Sequence, residues 1–168
     1  SDWSSDVCSS DLFTTARYGH AVAVKDGYMY ILGGCSASTG GTCTNYLSDT
    51  QFAKINSDGT LSAWTAGPSF TTARHSLATA ISGNYIYVAG GNSGSAQSNV
   101  QYASFTGGGG ISAWASTSSL NTARRDLALV SNNGYLYALG GHDGTNILRS
   151  VEYVVVNSGG TLGTWAQT

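Results

Sequence analysis

Phe13-Thr14-Thr15-Ala16-Arg17 returns as Phe70-Thr71-Thr72-Ala73-Arg74 and again as Leu120-Asn121-Thr122-Ala123-Arg124. Each copy is followed by a tyrosine, at Tyr30, Tyr87 and Tyr137, and three residues later by a double glycine, Gly33-Gly34, Gly90-Gly91 and Gly140-Gly141. A tryptophan closes each unit, at Trp64, Trp114 and Trp165. Recurrence at a fixed spacing is the signature of a repeat architecture and takes precedence over local propensity. Arg17 to Arg74 spans 57 residues and Arg74 to Arg124 spans 50, while the tryptophans lie 50 and 51 apart. The unit is therefore about 50 residues. The first copy carries an insertion of seven residues, the difference between 57 and 50, between Cys35 and Cys43.

Within each unit the pattern predicts four short strands. The first follows the arginine, over His20–Val24, Ser76–Ala80 and Leu127–Val130. Asp26-Gly27, Gly83-Asn84 and Asn133-Gly134 then supply two-residue hairpin turns, which favour residues that accept positive φ. The second strand runs into the double glycine (Tyr28–Leu32, Tyr85–Ala89, Tyr135–Leu139), with aromatic and aliphatic residues alternating as a pleated strand requires. A variable loop leads to a third strand at Thr50–Ile55, Val100–Phe105 and Val151–Val156, and a glycine-rich turn to a fourth, expected to carry the tryptophan. Four antiparallel strands per repeat describe a propeller blade.

A hydrophobic strand ending in Gly-Gly, a tyrosine before it and a closing tryptophan at this period resemble the kelch repeat, over Phe13 to Trp165. The fold class expected is all-β: a partial kelch-type β-propeller of three four-stranded antiparallel blades, at 13–65, 66–115 and 116–168. The stretch from Tyr102 to Trp114 is longer than the usual kelch spacing, which points to a galactose-oxidase-like or bacterial secreted branch. Closed propellers have typically 4–8 blades. Further blades of the same ring are therefore expected as partners, for a whole of roughly 300–350 residues in six or seven units.

Residues 1–12 match no unit of the repeat, and Asp2–Leu12 (DWSSDVCSSDL) resembles a translated sequencing adapter; a non-native or disordered leader is expected there. Setting it aside leaves Cys35 and Cys43, whose short separation makes a disulfide plausible and implies an oxidising compartment; two free thiols are the other reading.

Composition excludes several function classes. Only 10% of residues are charged and 23 are glycine, a chain made polar by hydroxyls and amides. The seven basic residues are scattered and the formal net charge is −2, so no nucleic-acid footprint is expected. No apolar run approaches the roughly 18–20 residues of a membrane span.

Loops between the second and third strands must share a face with the connections between blades, which carry the Thr-Ala-Arg segments. Ligands of kelch proteins tend to bind on that face. Arg17, Arg74 and Arg124 recur in every unit, so their expected role is a structural one common to all blades, with ligand binding the alternative. Residues that break the repeat are the better ligand candidates: Arg125, Asp126, His142 and Asp143. His20, His75 and His142 occupy non-equivalent positions and make no metal-ligand spacing. No nucleophile–base pair stands out. No catalytic residue, metal or cofactor is assigned.

The functional expectation is a binding scaffold for a protein or carbohydrate ligand, belonging to a secreted or cell-surface bacterial protein. The alternative, implied by family resemblance alone, is a portion of an enzyme similar to galactose oxidases or sialic-acid mutarotases, with its catalytic residues partly in other blades.

Overall fold

The computed structural model describes residues 12–168; the leader, apart from Leu12, lies outside the described residues. Thirteen strands form three separate antiparallel sheets, one per sequence repeat. The first holds β1 (Ala21–Lys25), β2 (Tyr28–Thr39), β3 (Thr42–Lys54) and β4 (Thr65–Gly67), hydrogen-bonded in that order. The second holds β5 (Ala78–Ser82), β6 (Tyr85–Ala89), β7 (Val100–Gly107), and β8 (Gly110–Ile111) and β9 (Ala115–Thr117), both paired with β7. The third holds β10 (Ala128–Asn132), β11 (Tyr135–Leu139), β12 (Val151–Val155) and β13 (Ala166–Gln167). These are the blades of an all-β propeller segment. β8 has single-bridge counterparts in the other blades, Ile55 with Leu61 and Val156 with Leu162, so the outer position of each blade is a strand in two pieces.

Two details correct the sequence reading. The fourth strand begins at the residue after the tryptophan instead of carrying it, so blade ends set at 65 and 115 cut into β4 and β9. The tryptophan turns inward to close the blade: Trp114 Nε1 donates to Pro68 O at 3.0 Å and Trp165 Nε1 to Ser118 O at 3.0 Å, while Trp114 meets Phe70 edge to face. The insertion between Cys35 and Cys43 is not a loop but an extension of the β2–β3 hairpin, turning at Gly40-Gly41 with Thr39 paired to Thr42. Cys35 and Cys43 are joined by a disulfide across it. The ladder continues past the blade with three register shifts, between Leu32 and Gly34, Cys35 and Ala37, and Ala37 and Ser38.

Apolar side chains lie between blades, in two layers. Tyr30, Leu32, Phe70, Leu77, Ile86 and Val88 fill the space between the first and second sheets. Tyr87, Ala89, Leu127, Leu129, Leu136 and Trp165 fill that between the second and third. Alternate residues of one strand thus serve two different interfaces, which is why the second strand of each unit reads as a nearly continuous apolar run.

Candidate functional site

The repeated arginine joins one blade to the next. Its guanidinium enters its own blade and donates from Nη1 to the first carbonyl of the double glycine: Arg17 to Gly33 O at 2.9 Å, Arg74 to Gly90 O at 2.9 Å and Arg124 to Gly140 O at 3.0 Å. Its backbone belongs to the blade before. Arg74 O accepts from Gly34 N–H and Arg124 O from Gly91 N–H, each at 2.9 Å, and Arg74 N–H donates to Leu47 O. Each interior Gly-Gly pair is therefore held between two arginines. Side chains cannot replace these glycines, because an added Cβ at Gly33 or Gly90 would stand 2.8 or 2.4 Å from the carbonyl oxygen of the next arginine, at positive φ.

The carboxylate partner differs among blades. Arg17 is bidentate to Asp49, at 2.7 and 2.8 Å. Burial would raise the Asp49 pKa, but hydrogen bonds from Arg17 and Gln51 outweigh it and hold the carboxyl below its ordinary value. Arg124 pairs with Glu152, which also accepts the N–H groups of Asn121 and Thr122. Arg74 has only Asn99 and backbone carbonyls, and lies over the Phe70 ring at 5.4 Å. Gln51, Gln101 and Glu152 are buried polar residues that anchor the segment preceding each arginine, a role that sequence reasoning missed. All three arginine side chains are buried and committed to these hydrogen bonds.

The residues just after each arginine line the rim beside the inter-blade connections. Tyr18, His75 and Arg125 occupy one repeat position, and each makes an isolated antiparallel bridge to the residue after its Gly-Gly pair: Cys35, Asn92 and His142. The next position holds Gly19, Ser76 and Asp126, all at positive φ, linked in series by Ser76 N–H to Gly19 O and Asp126 N–H to Ser76 O. The result is an inner rim at which three repeat positions carry three different side-chain chemistries. Its largest feature is aromatic. Tyr46, brought in by the extended hairpin, stacks on His75 with centroids 5.6 Å apart and planes at 18°, and half-exposed Tyr18 flanks the same imidazole at 6.0 Å. Beside them is a shallow pocket bounded by Arg17, Tyr18 and Cys35–Ser38. Burial lowers the His75 pKa; Asp126 opposes this and Arg125 adds to it, and the imidazole stays below its ordinary value.

Of the residues singled out from sequence, Arg125, Asp126 and His142 lie on this rim. Asp143 sits in the loop beyond, where its Oδ1 accepts from the N–H groups of Thr145 and Asn146, each at 2.7 Å. Those bonds hold its carboxyl down to about 2. His142 Nδ1 accepts from Gly144 N–H at 2.8 Å in the same loop. Tyr18, Tyr46 and His75 were not flagged. Tyr18 and His75 were findable, since they differ from Arg125 at an aligned position, and so was Tyr46, which stands five residues before Gln51 as Ala96 and Ile147 stand before Gln101 and Glu152. Among the described residues no three His, Cys, Asp or Glu side chains group as metal ligands, and no helix is long and apolar enough to cross a membrane.

The kelch motif matches residues 16–49 and 123–156, covering the arginine and the double glycine in the first and third blades, with part of the third strand in the first and all of it in the third. The chain carries the kelch motif in two of the three blades of a propeller-type fold. The unmatched middle blade has the same strand order and the same arginine–glycine clasp as its neighbours. Among solved structures, that of YjhT is similar, with a TM-score of 0.67 at 14% identity, covering 92% of this chain and 46% of that one. The chain thus spans less than half the length of the matched chain. No curated protein matches it.

Proposed function

We propose that this kelch segment is a binding scaffold of a secreted or cell-surface protein, and that its ligand is a carbohydrate held at the inner rim by Tyr18, Tyr46 and His75. The single observation that carries the reading is the aromatic cluster, partly exposed on the face where the repeat is broken. Flat rings offer apolar area with little rotamer entropy to lose, and Tyr keeps a hydroxyl for hydrogen bonding. Pyranose rings present one apolar C–H face and a belt of hydroxyls, which matches such a platform rimmed by Ser76, Asn92 and Arg125. A rigid scaffold with variable loops is where binding residues concentrate. The Cys35–Cys43 disulfide supports an oxidising compartment.

Saturation-transfer NMR with a panel of neutral, amino and acidic saccharides tests the reading. Binding that perturbs Tyr18, Tyr46 and His75, and falls at least tenfold in Tyr18→Ala, is expected. A panel without binders, or binding unaffected by Tyr18→Ala and His75→Ala, counts against a carbohydrate at this rim and leaves a protein ligand as the reading to pursue.

A further inference from the structure

The turn between the third and fourth strands ends on a glycine at positive φ in every blade: Gly59, Gly109 and Gly160. Two of these lie under a tyrosine from the preceding blade. An added Cβ would stand 2.5 Å from the Tyr28 ring at Gly109 and 2.4 Å from the Tyr85 ring at Gly160, and both glycines are buried. Gly59 is exposed and has nothing within 4 Å. The matching tyrosine of the third blade, Tyr135, has no glycine beneath it and is 39% exposed. So the first blade has an empty seat, and the third has the side chain that fills such seats elsewhere in the molecule.

Other halves of the same interface lie open at the same two ends. Gly34 and Gly91 N–H donate to the arginine carbonyl of the following blade, whereas Gly141 N–H has no acceptor among the described residues. Leu32 and Ala89 are fully buried by the next blade, while their equivalent, Leu139, is 37% exposed. Val130 on the same face is 50% exposed, and Val22 and Val24 on the opposite face of the first blade are 47% and 55% exposed. Apolar strand faces of this kind mark interaction surfaces. The two faces differ, and each is the complement of the other by the rules that join the first blade to the second and the second to the third.

We propose that a second copy of this chain covers both faces: the third blade of each copy docks on the first blade of the other, closing a six-bladed ring with two-fold symmetry. Tyr135 then covers Gly59 of the second copy, and Tyr137 Oη donates to the second copy's Gly59 O as Tyr87 Oη does to Gly160 O at 2.8 Å. Two considerations favour a copy over an unrelated partner. Each interface repeats a contact the chain already makes twice. The similar YjhT chain is covered only to 46%, so two copies supply about the amount of chain that such a fold holds. Closure leaves no sheet face exposed, which limits assembly to two copies. This inference is independent of the ligand proposed above.

Light scattering coupled to size exclusion, at micromolar concentrations of the 168-residue chain, reads the outcome. A mass of twice 17.3 kDa is expected. Val130→Asp, on one open face, and Val22→Asp, on the other, should each reduce the mass to one copy with an unchanged far-ultraviolet spectrum, since both side chains are exposed within a single chain. A soluble folded monomer overturns the proposal, and so does a ladder of larger species without a limit at two. A dimer that persists in both variants also overturns it, by placing the contact elsewhere.

Discussion

Arg124 and Glu152 meet 2.5 Å apart with both side chains out of contact with water, and at the same two positions one blade earlier stand Arg74 and Gln101. Arg74 is just as buried but faces no carboxylate; its Nε and Nη2, and Nε2 of Gln101, have no hydrogen-bond partner. Burial alone lowers the Arg74 pKa to about 10. At neutral pH the guanidinium is still charged, so the middle blade carries a buried cation compensated by dipoles and by the Phe70 ring.

Gln101→Glu should therefore stabilise the chain. It removes the unpartnered Gln101 Nε2, puts an acceptor in its place for the two unsatisfied Arg74 nitrogens, and keeps the bond from Thr71. Hydrogen bonds to charged groups are worth roughly 1.5–3 kcal/mol. After the cost of burying the carboxylate, a gain of about 1 kcal/mol is expected in urea denaturation. The reverse change, Glu152→Gln, leaves Arg124 unpaired and should cost about 3 kcal/mol. Loss of stability in Gln101→Glu contradicts this account of the middle blade.

The clasp around the double glycine predicts a sharp contrast between two glycine-to-alanine changes at similar φ. Gly27, at φ 78, has nothing within 4 Å of an added Cβ, so Gly27→Ala should cost only the left-handed backbone penalty, about 1–2 kcal/mol. At Gly90 the same Cβ would stand 2.4 Å from Arg124 O, and relief requires separating two blades. Gly90→Ala should cost well over 3 kcal/mol or abolish folding, measured by the same denaturation. Equal costs at the two sites would show that the clasp yields easily.

Reducing the Cys35–Cys43 bridge should affect the hairpin and spare the blade. The bond closes a short loop, with a sequence separation of 8, for which chain entropy gives roughly 2–3 kcal/mol. Hydrogen exchange should accelerate in residues 36–45 on reduction and stay unchanged at Tyr30–Leu32. Saccharide binding, if it depends on Tyr46, should weaken together with the hairpin.

Asp143 gives a pH signature. Its folded pKa of about 2 lies below the ordinary 3.8, so its contribution is fully present above 3.8 and is lost as pH falls towards 2. The N–H resonances of Thr145 and Asn146 should report that loss with a midpoint near 2. Asp143→Asn should abolish the titration and leave the rest of the blade unmoved. A midpoint near 3.8 would mean that the two N–H bonds are not formed in solution.

The fold was legible because the features that specify it recur at a constant period: the arginine, the tyrosine, the double glycine and the tryptophan each solve a problem present in every blade. What those residues touch was less legible. The arginine's role as a clasp depends on Gly33 and Gly90 carbonyls 16 residues away and on a backbone contact to a different blade. The hairpin beyond Cys35 read as a loop because Ser, Thr and Gly carry turn propensity, whereas the ladder already running through β2 and β3 overrides it. The rim was half legible. Arg125, Asp126 and His142 showed themselves by breaking the repeat, and Tyr18 and His75 break it at the same positions. Tyr46 breaks it too, standing where the other blades have Ala96 and Ile147, each opposite the residue after the double glycine.

The series Gly19, Ser76, Asp126 separates two jobs that proteins usually combine. The backbone at these positions bonds blade to blade through its own N–H and C=O groups, whatever side chain the position carries. Hydrogen, hydroxymethyl and carboxymethyl groups are all accommodated in one chain. At Ser76 and Asp126 the rim therefore holds exchangeable sockets, whose charge and polarity can be rewritten with Gly, Asn, Asp or Ser while the wiring that holds neighbouring blades in register is left intact; at Gly19 an added Cβ would stand 3.3 Å from both His75 and Ser76 N, so that socket is closed to such exchange.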